Sequence, residues 1–279
     1  MTVGIIGLGL IGGSLAKAFR ARTPHAVMGL DRDAAAVAAA QVQGLLDGVL
    51  APDTLAACDV LVVALPPNAA RAFLAGHAGR VGKGALVVDC CGVKRGICAE
   101  GFALARKHGF DFVGGHPMAG REYSGFGASQ EGLFEGASMI VVPPPDGVGD
   151  ALAGRVREVF LPLGFGRVVV ATAEAHDAVI ALTSQLAHVV SNAYVKSPRA
   201  QAHSGFSAGS YADLTRVARL NERLWTELFL ENGDYLAEEI DFLIRSLAAC
   251  RDAIAGHDAE ALEALLRHGR ECKERQDEH

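Results

Sequence analysis

Short runs of apolar and β-branched residues recur through the first half of the chain, and between them apolar positions fall at helical spacing. V-G-I-I-G (3–7), A-V-M-G-L-D (26–31), D-V-L-V-V-A-L (59–65), A-L-V-V-D-C-C (85–91), F-D-F-V-G-G (110–115) and S-M-I-V-V (138–142) read as buried strands. Most are apolar throughout instead of alternating, as strands of a parallel sheet covered on both faces must be. Helices are expected at 12–22, 33–43, 67–78 and 95–107, so strand and helix alternate as in a doubly wound α/β domain.

The loop V-V-P-P-P-D-G-V-G-D (141–150) does not end this domain, because one more helix and the strand R-V-V-V-A (167–171) follow it. Beyond Thr172 long helical periodicity takes over. The division therefore falls at 171, giving a Rossmann-type dinucleotide-binding domain over 1–171 and an all-α domain over 172–279. The helices of the second part are too apolar to stand alone, which points to an interface between subunits.

Composition narrows the function classes. Half of the 279 residues are hydrophobic and 21% are charged, so the chain is globular. Its net charge of −6 argues against nucleic-acid or anionic-membrane partners. The apolar N-terminus has no basic leading segment and is broken by glycines, so strand–turn–helix fits it better than a signal peptide. No uninterrupted apolar run approaches about 18 residues, and no membrane span is expected. Six cysteines without a C-x-x-C pair fit reduced thiols in the cytoplasm.

The sharpest motif is Gly7-x-Gly9-x-x-Gly12, directly after the first strand and opening the first helix. The first glycine permits the tight turn, the second lets backbone approach a pyrophosphate, and the third lets helix pack on strand. Leu8, Leu10 and Ile11 complete this candidate cofactor loop. Asp31 ends the second strand where a ribose 2′-hydroxyl should lie; its carboxylate favours NAD over NADP, which the adjacent Arg32 only partly offsets. Leu65 and Pro66 close a further strand at the same carboxyl edge.

His116, in F-V-G-G-H-P-M-A-G-R-E-Y-S-G (112–125), follows another strand toward that edge. Pro117 restricts it to extended backbone, and imidazole can accept a proton near neutral pH. Taken alone, the segment fits a packing histidine better than a catalytic one. His188 faces either the interdomain cleft or the core. His25, His77, His108, His257, His268 and His279 read as surface residues, and no pair has the spacing of a zinc helix, so no metal is expected. Asp213, Arg216 and Trp225 cluster on one helical stretch, where arginine is the natural clamp for a substrate carboxylate; taken alone, Arg216 reads first as a solvated helix residue.

Together these blocks resemble the prephenate dehydrogenase family, the prephenate and arogenate dehydrogenases of tyrosine biosynthesis. The resemblance runs over nearly the whole chain through G-L-G-L-I-G-G-S, D-C-C-G-V-K (89–94), G-G-H-P-M-A-G-R-E (114–122), S-Q-L-A-H (184–188) and A-D-L-T-R with L-W-T-E-L-F-L-E-N (212–232). It implies oxidative decarboxylation of prephenate to 4-hydroxyphenylpyruvate, or of arogenate to tyrosine, and a homodimer built through the helical domain. A 3-hydroxyacid dehydrogenase shares the N-terminal loop but not the H-P-M-A-G-x-E block. By the same resemblance His116 accepts the ring-hydroxyl proton, Arg216 holds a substrate carboxylate, and Glu122 is a cleft residue beside them. Gly92, His188, Asp213 and Trp225 are expected to line the substrate site. Gly92 stands where many members carry serine, so a water, a backbone N–H or a neighbouring thiol has to replace that hydroxyl. Gln185 stands where many carry histidine. No appended regulatory domain or fused mutase is expected.

Overall fold

The structure is a computed structural model, and it describes residues 1–121, 123–145, 149–203 and 205–277. The chain runs β1 (Thr2–Ile6), α1 (Leu10–Arg22), β2 (Ala26–Leu30), α2 (Ala34–Val42), β3 (Gly48–Val49), β4 (Val60–Val63), α3 (Pro67–His77), β5 (Leu86–Asp89), α4 (Arg95–His108) and β6 (Asp111–Pro117). It continues through β7 (Ser138–Val142), α5 (Gly149–Phe160), β8 (Arg167–Val170), α6 (Ala173–Ile180), α7 (Ala187–Tyr194), α8 (Gly209–Thr215), α9 (Glu222–Glu231), α10 (Gly233–Ala255) and α11 (Ala259–Asp277).

The strands form one sheet in the order β3-β2-β1-β4-β5-β6-β7-β8. Order reverses between β1 and β4, so their carboxyl ends flank the crevice in which doubly wound sheets bind ligands. The uninterrupted apolar runs have a direct cause. In β4, Val60 and Val62 enter one core with Leu15, Phe19, Val156 and Phe160, while Leu61 and Val63 enter the other with Leu74, Ile97 and Phe112. Every position of such a strand meets a core on one side or the other.

The sheet is not wholly parallel. β7 pairs antiparallel with β6, His116 standing opposite Ile140, and β8 then runs parallel to β7. The connection from β6 to β7 carries only short 3-10 turns at Phe126–Ala128 and Glu131–Phe134. A parallel return usually crosses over through an α-helix, and no α-helix is present there among the described residues.

Two compact units divide the chain, Met1–Asn232 and Gly233–His279. Within the first, a π-helical turn over Ala181–Leu186 joins α6 to α7. The second is a hairpin of α10 and α11 that exposes Phe242, Leu247 and Leu266. No described helix is long and apolar enough to cross a membrane, and all six cysteines are free thiols.

Candidate active site

The turn after β1 is built for a close ligand. Gly7 has φ +91°, and a side chain there would strike the Ala64 carbonyl. A Cβ on Gly12 would stand 1.8 Å from the Gly7 carbonyl oxygen, so helix and turn touch through bare backbone. At Gly9 a Cβ would meet nothing within 4 Å. That position is open to an approaching phosphate at the N-terminus of α1. Asp31 fastens the turn: one carboxylate oxygen accepts from the Leu8 N–H at 2.6 Å, the other from the Asp33 N–H at 2.8 Å. Two engaged lone pairs leave acceptor capacity for a sugar hydroxyl. These residues fit a dinucleotide.

The other loop residues fall into place unevenly. Leu65 lies against Gly7 across the crevice, Pro66 is exposed at the start of α3, and Arg32 is exposed beside Asp31. Leu10 and Ile11 are partly exposed. The Leu8 side chain is fully buried in the core, which leaves its backbone as the part that could meet a cofactor.

His116 is part of β6 and does not merely follow it, since pairing with β7 carries the strand through Pro117. The glycines before it serve close approach. A Cβ on Gly114 would stand 2.4 Å from the Cys98 sulfur, and one on Gly115 would stand 2.4 Å from the Asp89 carbonyl oxygen. Beneath them lies an ion pair of Lys94 with Asp89, both side chains fully buried. Lys94 also donates to the Gly115 carbonyl at 2.6 Å, and Asp89 accepts from the Gly115 N–H at 3.1 Å and the Cys91 N–H at 2.8 Å. Burial pushes the Lys94 ammonium down, but the charge and hydrogen bond of Asp89, together with the Cys91 and Cys98 sulfurs, outweigh this and hold its pKa above the ordinary lysine value.

His116 Nδ1 lies 2.9 Å from His176 Nε2, and His176 Nδ1 lies 2.7 Å from Asp177 Oδ1. Burial, then the neighbouring His176 and Lys94, hold the His116 pKa well below that of a free imidazole. His176 is also pushed down, chiefly by burial and against the pull of Asp177. Burial raises the Asp177 pKa; hydrogen bonds from His176 and from the Arg95 and Lys94 N–H groups outweigh it, and the carboxyl stays below its usual range. The pair sits in the first turns of α6, whose start is fixed by Thr172 Oγ1 accepting from the Ala175 N–H at 3.1 Å.

The free edge of His116 faces Gly92. A Cβ there would lie 3.9 Å from His116 Nε2 and 3.4 Å from a Leu228 methyl. The Cys91 thiol, one candidate for replacing the family serine, is directed instead to the Leu65 carbonyl at 3.5 Å. Leu228 stands one turn beyond Trp225 on α9, so one helix face spans the region from Gly92 to His188. His188 and Trp225 stack with ring centroids 3.7 Å apart, and burial, more than the charge of Arg216, lowers the His188 pKa. Gln185 is buried, donates to the Leu228 carbonyl at 3.0 Å and accepts from Asn232 at 2.8 Å; it binds the π turn to α9. Arg216 and Asp213 are exposed at the end of α8, and Glu122 lies outside the described residues.

Three histidines expected at the surface, His25, His77 and His108, are partly buried; His77 stacks on Phe73 at 4.6 Å, an apolar partner one helical turn away. His257 and His268 are exposed, and His279 lies outside the described residues. Among the described residues no cluster of His, Cys, Asp or Glu could hold a metal ion. Sequence reasoning missed His176, Asp177, Asp89 and Lys94. The available signal was an H-D pair one turn inside a Thr-capped helix of otherwise apolar character.

A glycine-rich turn at the switch point of a doubly wound sheet, with an imidazole near the end of β6, is the arrangement of a dinucleotide-binding enzyme. Residues 15–170 match the family model described as prephenate dehydrogenase, nucleotide-binding domain, and residues 172–268 that described as prephenate dehydrogenase, dimerization domain. The chain belongs to the prephenate dehydrogenase family. It is 32% identical to the cyclohexadienyl dehydrogenase of Zymomonas mobilis, over 97% of this chain and 93% of that one. The crystal structure of prephenate dehydrogenase from A. aeolicus with hydroxyphenyl propionate and NAD+ superposes with a TM-score of 0.85 at 26% identity, covering 99% of this chain and 98% of that one. Synechocystis arogenate dehydrogenase gives 0.81 at 25% identity, covering 99% of this chain and all of its own.

Proposed function

We propose that this protein oxidatively decarboxylates prephenate to 4-hydroxyphenylpyruvate with NAD as oxidant. The observation that carries the reading is His116: a half-buried imidazole whose surroundings hold its pKa well below the free value, with Nε2 turned to the space before Gly92. The backbone of Gly7–Gly12 would cradle the pyrophosphate, and Asp31 would take the ribose hydroxyl and disfavour a 2′-phosphate. A nicotinamide held there would supply the acceptor for the hydride of the ring carbinol.

His116 accepts the carbinol proton at Nε2. Oxidation turns that carbon into a ketone conjugated through the ring to the carbon bearing the carboxylate. The carboxylate is then vinylogous to a β-keto acid. Its C–C bond breaks, CO2 leaves, and the electron pair enters the ring, which becomes a phenolate that is then protonated. Arg216 supplies a guanidinium for a substrate carboxylate, with Trp225, His188 and Asp213 around it and Glu122 as a further cleft residue. We assign residues 1–171 to dinucleotide binding and 172–279 to substrate binding and homodimerisation, in keeping with the dimerization description of the second family model.

The likeness to an arogenate dehydrogenase favours arogenate as the second reading. Reduction of NAD is followed with each substrate, in wild type and in His116→Asn. Prephenate turnover is expected, with kcat lowered at least about 10²-fold in the variant, the scale of a lost general base. Turnover of arogenate alone would replace the substrate, and an unchanged rate in His116→Asn would remove the base. Arg216→Ala should raise KM more than it lowers kcat.

A further inference from the structure

The contacts around His176 fix where its hydrogen lies. Asp177 is saturated with donors: Oδ1 accepts from the Lys94 N–H at 2.7 Å, and Oδ2 from the Arg95 N–H at 2.9 Å and the Arg95 Nε–H at 3.3 Å. An ionised carboxylate has no hydrogen to give, so His176 Nδ1, 2.7 Å from Oδ1, is the donor of that bond. A neutral imidazole carries one hydrogen, which leaves the His176 Nε2 lone pair as an acceptor. His116 Nδ1, 2.9 Å from it, then donates. The hydrogen of neutral His116 is therefore on Nδ1, and its bare nitrogen is Nε2, the one nearest Gly92.

We propose that His176 is a positioning residue: backed by Asp177, it locks His116 in the Nδ1–H tautomer and so presents Nε2 as the proton acceptor. This rests on His116 being the general base. A neutral imidazole with its hydrogen on Nε2 would offer the substrate hydroxyl no lone pair, whatever its pKa. When the hydroxyl proton arrives at Nε2, the Nδ1 hydrogen stays where it is, bonded to His176, and the new positive charge on His116 is faced through that ring by the Asp177 carboxylate. His176 itself is buried and acts only through His116. The scaffold is independent of the substrate. Thr172 caps the start of α6, and Asn232 holds the Asp177 carbonyl at 2.8 Å.

The test uses ring-15N-histidine protein at a pH above the free-imidazole pKa of about 6.5. Long-range 1H–15N correlation reads the tautomer directly, with the His116 signals assigned by their loss in His116→Asn. Wild type should show a protonated Nδ1 and a bare Nε2 on His116. In His176→Phe the hydrogen should redistribute to Nε2, and kcat should fall roughly 10-fold or more at little-changed KM, the scale of losing a residue that orients a catalytic group. Gln places an acceptor oxygen near the position of imidazole Nε2, so His176→Gln should restore the Nδ1–H tautomer and most of the rate. An Nε2–H tautomer on His116 in wild type would overturn the proposal, and that spectrum decides the matter should His176→Phe not fold. Unchanged tautomer and kcat in a folded His176→Phe would overturn it too. Activity retained by His116→Asn overturns the base assignment and this inference with it. Inactive His116→Asn with an Nε2–H wild type overturns this inference alone.

Discussion

Lys94 and Asp89 meet as a fully buried ion pair beneath the junction of β5 and β6, and both also hold the backbone of Gly115, the residue before His116. A bare charge at that depth has no water to solvate it, so removing one partner costs more than the pair itself contributes. Lys94→Met should therefore cost about 3–5 kcal/mol in urea unfolding. Adding Asp89→Asn to it removes the orphaned charge and should return part of that loss. If the double variant proves less stable than Lys94→Met, the pair is not the source of the cost.

The pH dependence of kcat/KM follows from the groups facing His116. Burial, His176 and Lys94 lower its pKa, while the carboxylates of Asp89 and Asp177 are already engaged by Lys94 and by His176 with the Arg95 and Lys94 N–H groups. The neutral ring is the active form, so activity is present above the folded pKa and is lost as pH falls through it. With that pKa well below the free value of about 6.5, the acid limb should appear well under pH 6.5. Stability runs in the same direction. Below about pH 6.5 the unfolded chain binds protons that native His116 and His176 refuse, so the folded state loses stability as pH falls. A rate profile with its acid limb at or above the free-imidazole value would contradict this environment.

Asp31 combines two duties at the cofactor turn, closing it through the Leu8 N–H and setting a negative charge where the ribose is expected. Asp31→Asn keeps an acceptor for Leu8 and removes the charge, and exposed Arg32 next to it is then free of a competing carboxylate. The ratio of kcat/KM for NADP to that for NAD should rise at least about tenfold, equivalent to about 1.4 kcal/mol of removed repulsion. Steady-state kinetics with both cofactors checks this. A ratio that does not move would mean the 2′ position is read elsewhere.

How far the site could be read from the sequence depends on how local each signal is. The Gly7–Gly12 turn and the strands β1, β4 and β5 were legible because their central positions form apolar runs and the glycines keep a fixed spacing. β3, with two residues, is too short for any period, and periodicity carries no direction, so the reversal at β7 was invisible. Lys94 looks like an ordinary lysine before Arg95, yet it is fully buried because Asp89, five residues earlier, turns into the same interior. The His176–Asp177 pair has no distinctive spacing either. It gains meaning from a ring 60 residues away. The sequence offered His116, Arg216 and Trp225 as candidates and the family resemblance lent them roles, but neither said anything about what aims the imidazole.

Gly92 offers the last prediction. It is not among the glycines with positive φ, and a Cβ there would meet the Leu228 methyls at 3.4 and 3.8 Å and His116 Nε2 at 3.9 Å, all ordinary van der Waals contacts with side chains. Gly92→Ala and Gly92→Ser should therefore fold as stably as wild type, within roughly 0.5–1 kcal/mol, and each should gain slightly from a stiffer unfolded chain. In Gly92→Ser the hydroxyl comes within reach of His116 Nε2 and donates to it, which stabilises the neutral ring and should move the acid limb of kcat/KM to still lower pH. Gly92→Leu instead fills the space in front of Nε2. It should lower kcat/KM by at least about 10²-fold, as expected when the base loses access to its proton. Denaturation midpoints and pH profiles of the three variants separate the two effects. A Gly92→Leu enzyme with wild-type kcat/KM would mean that the substrate hydroxyl approaches His116 from a different side.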